Sequence, residues 1–154
     1  MKTLKWILCF ALLVIPTVQL CGKENAKMTD DMKQLQGEWS MTSGTTDGYP
    51  IPDVIRTGCK RVCRGNEVTV TAPGMVILQS KITIDTNARP HTIDYELTDG
   101  PDKGKIRHGI YELKGDTLLS CFGAPGAERP TAFVSKPGDY RVLSAWKRDA
   151  PKDR

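Results

Sequence analysis

Two hydrophobic spacings follow one another along the chain after an apolar start. Trp6 to Ile15 is an unbroken run of ten apolar residues, preceded by Lys2 and Lys5 and ended by Pro16. That length suits the core of a signal peptide, whereas a spanning helix needs ~20 such residues. Residues 28–37 read as a short helix: Thr29 or Asp30 caps it, acidic residues fill the first turn, and Gly37 ends it. From there the period becomes two. Strands are predicted at 39–42, 67–71, 76–84, 92–97, 109–113, 117–122 and 142–148. Val68 and Val70 share a face, as do Leu78, Ile82 and Ile84, and Ile93, Tyr95 and Leu97. Pro73-Gly74 and Gly115-Asp116 mark turns, and a long connection at 44–58 has room for one helical turn. Short strands with one polar face each predict a sandwich or barrel, wet outside and apolar inside.

Length and charge narrow this picture. If residues 1–22 leave as a signal segment, 132 of the 154 residues remain, enough for one domain with one core. Lys2 and Lys5 account for two of the formal +4, so the remainder is nearly neutral, which argues against nucleic-acid binding. The basic cluster Arg56, Lys60, Arg61 and Arg64 reads as a solvated strand face and turn, since no stacking aromatics accompany it. Cys21 follows the apolar run where a lipidated cysteine would stand, although Leu20 is large for the residue before it. Cleavage after Gly22 and lipidation of Cys21 both stay open. Either way the chain is expected to be exported, to the periplasm or cell exterior, with no membrane span beyond a lipid anchor.

Cys59, Cys63 and Cys121 remain, an odd number for an exported chain. In an extended strand, Cys59 and Cys63 would sit roughly 13 Å apart, too far for a disulfide. A bend at 59–63, a pairing with Cys121, or free thiols are the alternatives.

Several blocks carry a resemblance. They are Leu35-Gln36-Gly37-Glu38-Trp39, Thr98 to Lys105, Gly109 to Leu118, Cys121-Phe122, Arg129-Pro130-Thr131 and Ser135 to Gly138. Together they resemble a family of small exported proteins, abundant in planctomycete bacteria, whose domain is lipocalin-like and whose function is uncharacterised. The likeness spans residues 35–148 and departs most at 56–64, where two cysteines and four basic residues leave the second strand's register open. It implies a mainly β fold: a single antiparallel lipocalin-like barrel of about eight strands with a short N-terminal helix, over residues 28–149. Gly37-Glu38-Trp39 is also the Gly-x-Trp start of lipocalin-type barrels, in which the Trp plugs one end under an Arg of the last strand. Arg148, two residues beyond Trp146, is the candidate partner of Trp39, with ~1–2 kcal/mol expected from a desolvated guanidinium over the indole.

The expected lining is Val70, Leu78, Ile82, Ile93, Tyr95, Tyr111, Leu113 and Phe122, which either fills the interior or surrounds one small ligand. Ser80 and Ser120 are polar at inward positions. With Tyr95, Tyr111 and Phe122 they form the candidate ligand set. Catalytic signals are poor. His91 and His108 are the only histidines, and no His-Glu-x-x-His or Gly-x-Ser-x-Gly element occurs. A Cys121–His108 nucleophilic pair lacks an orienting group. A zinc site from Cys59, Cys63 and His108 has an unusual spacing. Gly104-Lys105 lacks the Ser or Thr of a phosphate loop, and Asp99 with Asp102 is short of a calcium shell. No catalytic residue, metal or cofactor is expected. The reading is a barrel that holds a small apolar ligand or meets an envelope protein. The alternative is an interaction or inhibitor module acting through the loops at 44–58 and 123–131.

Overall fold

The computed structural model describes residues 29–151. The signal segment 1–22, Cys21 and the apolar run lie outside the described residues. Among the described residues no helix is long and apolar enough to cross a membrane.

Helix α1 (Asp30–Gln34) is capped by Thr29, whose Oγ1 accepts from the Met32 amide at 3.2 Å. The strands follow as β1 (Gly37–Thr46), β2 (Tyr49–Pro50), β3 (Lys60–Arg64), β4 (Glu67–Ala72), β5 (Met75–Asp85), β6 (His91–Leu97), β7 (Ile106–Lys114), β8 (Thr117–Phe122) and β9 (Val142–Arg148). Every neighbouring pair is antiparallel, and β9 returns to pair with β1. Eight strands thus close a barrel, with β2 as a short flap on β1. Closure leaves none of the eight with a bare edge.

The expected strands at 117–122 and 142–148 stand unchanged, and most others gain a residue or two. The first strand is the large correction. It runs to Thr46 rather than Thr42, because a bulge between Met41 and Ser43 resets its register against β9 and lets pairing continue. The connection after it is correspondingly shorter, and its one helical turn is α2 (Asp53–Arg56).

Alternation in β3 sends Arg61 and Cys63 inward, and both are about 1% exposed. The basic cluster is therefore not one solvated face: Arg61 belongs to the interior. Its Cα stands opposite Trp39 on one side and Val70 on the other.

At one end the barrel is shut. Trp39 and Leu35 are fully buried there, and the indole Nε1 donates to the Leu35 carbonyl at 3.2 Å. The Arg148 guanidinium lies 4.2 Å from the centre of the Trp39 ring. Arg148 donates from Nη1 to the Gln36 carbonyl at 2.7 Å, from Nη2 to the Gln34 carbonyl, and from Nε to Asp116 at 3.1 Å. Arg148 and Trp39 are also cross-strand partners. Asp31 ties α1 to the same end by accepting the Tyr111 hydroxyl at 2.6 Å.

A second, smaller core lies outside the barrel wall. Ile110 and Cys121 are paired across β7 and β8 on the face opposite Tyr111 and Phe122, and both are buried. The segment 123–141 covers them: Pro130 is buried, and Cys121 Sγ donates to the Val134 carbonyl at 3.5 Å. Arg129 pins this segment to the wall, reaching both carboxylate oxygens of Asp94 at 2.7 and 3.0 Å.

Candidate functional site

Opposite the Trp39 end, the interior is not filled. A cavity of about 320 Å³ is lined by side chains of seven barrel strands, among them Met41, Val70, Leu78, Tyr95, Phe122 and Trp146. This is the low end of the ~300–1,000 Å³ typical of small-molecule sites. Ile51, Pro52 and Ile55 from the connection after β2 close one side of it, and Ile77 on β5 closes another. Ile55 is 41% exposed and Ile77 50%, so the cavity meets solvent between them. The space above Phe122 depends on one glycine. A Cβ on Gly109 would come within 2.4 Å of the Phe122 ring, so only Gly lets that ring lie against β7. There it packs against Tyr95 with ring centres 4.3 Å apart.

Of the five candidate ligand residues, three line the cavity: Tyr95, Ser120 and Phe122. Ser120 Oγ is 3.0 Å from Ser144 Oγ, which also accepts from the Trp146 indole at 2.9 Å. These two hydroxyls are thus already engaged with protein. Tyr111 lies elsewhere, at the shut end, where burial and the Asp31 carboxylate push its phenol well above the ordinary range. Ser80 points inward and is 2% exposed, but it sits beside a separate depression along β4, β5 and β6. Glu67, Lys81, Glu96 and Lys103 line that depression, whose mixed charges match a wet surface groove.

Sequence reasoning missed two arginines. Arg107 opens β7 on the same face as Gly109 and Tyr111, and it lines the cavity. Its Nε donates to the Gly123 carbonyl at 3.1 Å, and its guanidinium stands 5.8 Å from the centre of the Phe122 ring. Burial pulls its pKa down, and Tyr95 and Asp102 act against that pull. Arg61 lies beneath, donating from Nε to the Tyr95 hydroxyl at 3.0 Å and from Nη1 to the Leu35 carbonyl at 3.3 Å. Its buried Nη2 has no hydrogen-bond partner among the described residues. The signal was present as strand parity: positions 59, 61 and 63 alternate inward, as do 107, 109 and 111.

The thiols divide between the two faces. Cys59 and Cys63 are inward, Cys121 lies under the 123–141 segment, and all three are free and buried. Burial raises each of their pKa values, which disfavours the thiolate. His108 is on the outer face with Asp94, 3.1 Å away, so it is separated by the barrel wall from Cys59 and Cys63. No group of three metal-ligating side chains forms among the described residues. His91 contacts Asp31 at 3.2 Å on the shut end. Asp102 bonds Lys105 at 2.8 Å in the turn before β7.

Comparison with protein-family models, curated proteins and solved structures finds no significant match.

Proposed function

We propose that this chain is an exported binding protein whose barrel holds one small, mostly apolar molecule. The apolar cavity of about 320 Å³, open between Ile55 and Ile77, carries the reading. Small barrels ordinarily fill their interiors with side chains, and this one does so only at the Trp39 end. Transfer of an apolar body into the space contributes roughly 25 cal/mol per Å² removed from water. No catalytic step belongs to this reading, since its polar side chains hold and orient the occupant. The likeness to small exported planctomycete proteins and the apolar segment at 6–15 support export, with Cys21 as the point of an anchor if the chain is lipidated. The 44–58 connection, considered as an interaction loop, acts here as the wall of the mouth. Arg129 and Pro130 of the 123–131 loop are engaged with the barrel's outer face.

The test is titration with Nile red, a neutral dye that brightens in apolar surroundings. The native chain should bind one dye per barrel, and Leu78→Trp, which fills the cavity from its wall, should abolish the signal while the protein stays folded. Absence of binding by the native chain, or binding indifferent to Leu78→Trp, overturns the proposal.

A further inference from the structure

Resting on that reading, we infer that the occupant is an amphiphile with an anionic head, a carboxylate on an acyl chain being the simplest form. Charge complementarity carries this. Among the described residues, those that line the cavity include Arg107 and no Asp or Glu. Behind Tyr95, Arg61 is 1% exposed, and among the described residues its hydrogen bonds go to neutral oxygens, those of Tyr95 and Leu35. The Cys63 sulfur is nearby, but its thiol is protonated by burial and is at best a weak acceptor. A guanidinium in apolar surroundings with no counter-ion is costly, and it biases the space beside it toward negative charge.

Tyr95 joins the two arginines. It is the Cα partner of Arg107 across β6 and β7, and its hydroxyl accepts from Arg61 Nε at 3.0 Å. An accepting phenol still has its own proton to give, and no described residue takes it. Arg107 uses Nε on the Gly123 carbonyl, so the Nη groups retain their donors. Asp102 attracts Arg107 from outside the cavity without bonding it, being held by Lys105. Tyr95 and Arg107 thus both line the cavity, and the Arg61 charge stands behind them, joined to the wall through the Tyr95 hydroxyl. Apart from the Thr46 hydroxyl and the Cys59 thiol, which are neutral, the rest of the lining is apolar or already bonded. A head that accepts and carries negative charge fits this wall, and a cationic head does not.

Decanoate and decanol distinguish the head from the chain, because they share the chain and differ in the charge. Competition against Nile red at neutral pH reads both. Decanoate should bind about 10- to 100-fold tighter than decanol, the range a charge-assisted hydrogen bond gives. The ratio should collapse toward one in Arg107→Met and fall several-fold in Tyr95→Phe, whose smaller change guards against misfolding of the first. Equal affinities in the native chain overturn the anionic head and leave the apolar cavity standing. So does a decanoate preference that survives both substitutions, or failure of both ligands to displace bound dye. Failure of the native chain to bind Nile red at all removes the cavity reading and this one together.

Discussion

The two ends of the barrel each set an arginine beside an aromatic ring, and they use it to opposite effect. Arg148 lies over Trp39 with Nε, Nη1 and Nη2 all engaged, by Asp116 and by two carbonyls at and just beyond the end of α1. Arg107 stands farther from Phe122, and among the described residues only its Nε is bonded. One guanidinium is consumed in sealing the end, and the other keeps donors for something that is not protein. The helix makes the difference. Residues 34–36 bring carbonyls to Arg148, whereas the connection after β2 brings Ile51, Pro52, Ile55 and Cys59, none of them charged, to the other end. Closure and binding are thus separate tasks of similar side chains, decided by what the neighbouring segment offers.

The sharpest way to break the contrast is to open the sealed end. Trp39→Ala removes the largest fully buried side chain and the platform under Arg148, and it should destabilise the chain by about 3–5 kcal/mol. Chemical denaturation measures this directly, and an unchanged midpoint would mean that Trp39 does not hold the seal. The interior of the same barrel offers the opposite case. Arg61→Met keeps most of the volume and deletes an uncompensated charge, so stability should hold or rise by about 1 kcal/mol. The same variant should lose most of its preference for decanoate over decanol. A fall of several kcal/mol would instead make Arg61 a structural pillar of the shut end, through its bond to Leu35.

Much of the sealed end was legible in the sequence, and little of the open one. The lipocalin-type resemblance of Gly37-Glu38-Trp39 implies an Arg of the last strand over the Trp, parity with Trp146 singles out Arg148 on that strand, and Trp39 and Arg148 are paired across β1 and β9. Alternation likewise identified Ile82, Ile93, Tyr95 and Phe122 as interior. Arg61 escaped because its neighbours Lys60 and Arg64 are charged, so composition pointed outward while parity with the buried Cys63 pointed inward. Parity wins in a strand, since a single residue cannot reverse its face without a bulge. The bulge after Met41 was invisible for the converse reason. It is defined by pairing with β9, a hundred residues away, and no local residue signals it. Whether the interior would be full or hollow was equally beyond local reading, because it depends on how Gly109 lets Phe122 lie down.

The smallest expected effect concerns the outer wall, where the chain leaving the open end is fastened. Asp94 is partly buried, which on its own would raise its pKa. The hydrogen bonds from Arg129 and His108 outweigh that, and the carboxyl titrates below its ordinary value. A carboxylate depressed in the folded state contributes stability that is fully present above its unfolded pKa. That contribution is lost as pH falls through the lower, folded value. The loss should therefore begin below about pH 4. Asp94→Asn should flatten the stability curve in that acid window and cost under about 1 kcal/mol at neutral pH, since the pair is partly solvated. Urea midpoints of both proteins across the acid range measure it. The substitution touches neither Tyr95 nor Arg107, so ligand preference should stay as it is if the 123–141 segment merely covers the wall. A shift in decanoate affinity would show that fastening this segment also sets Gly123, and through its carbonyl the position of Arg107.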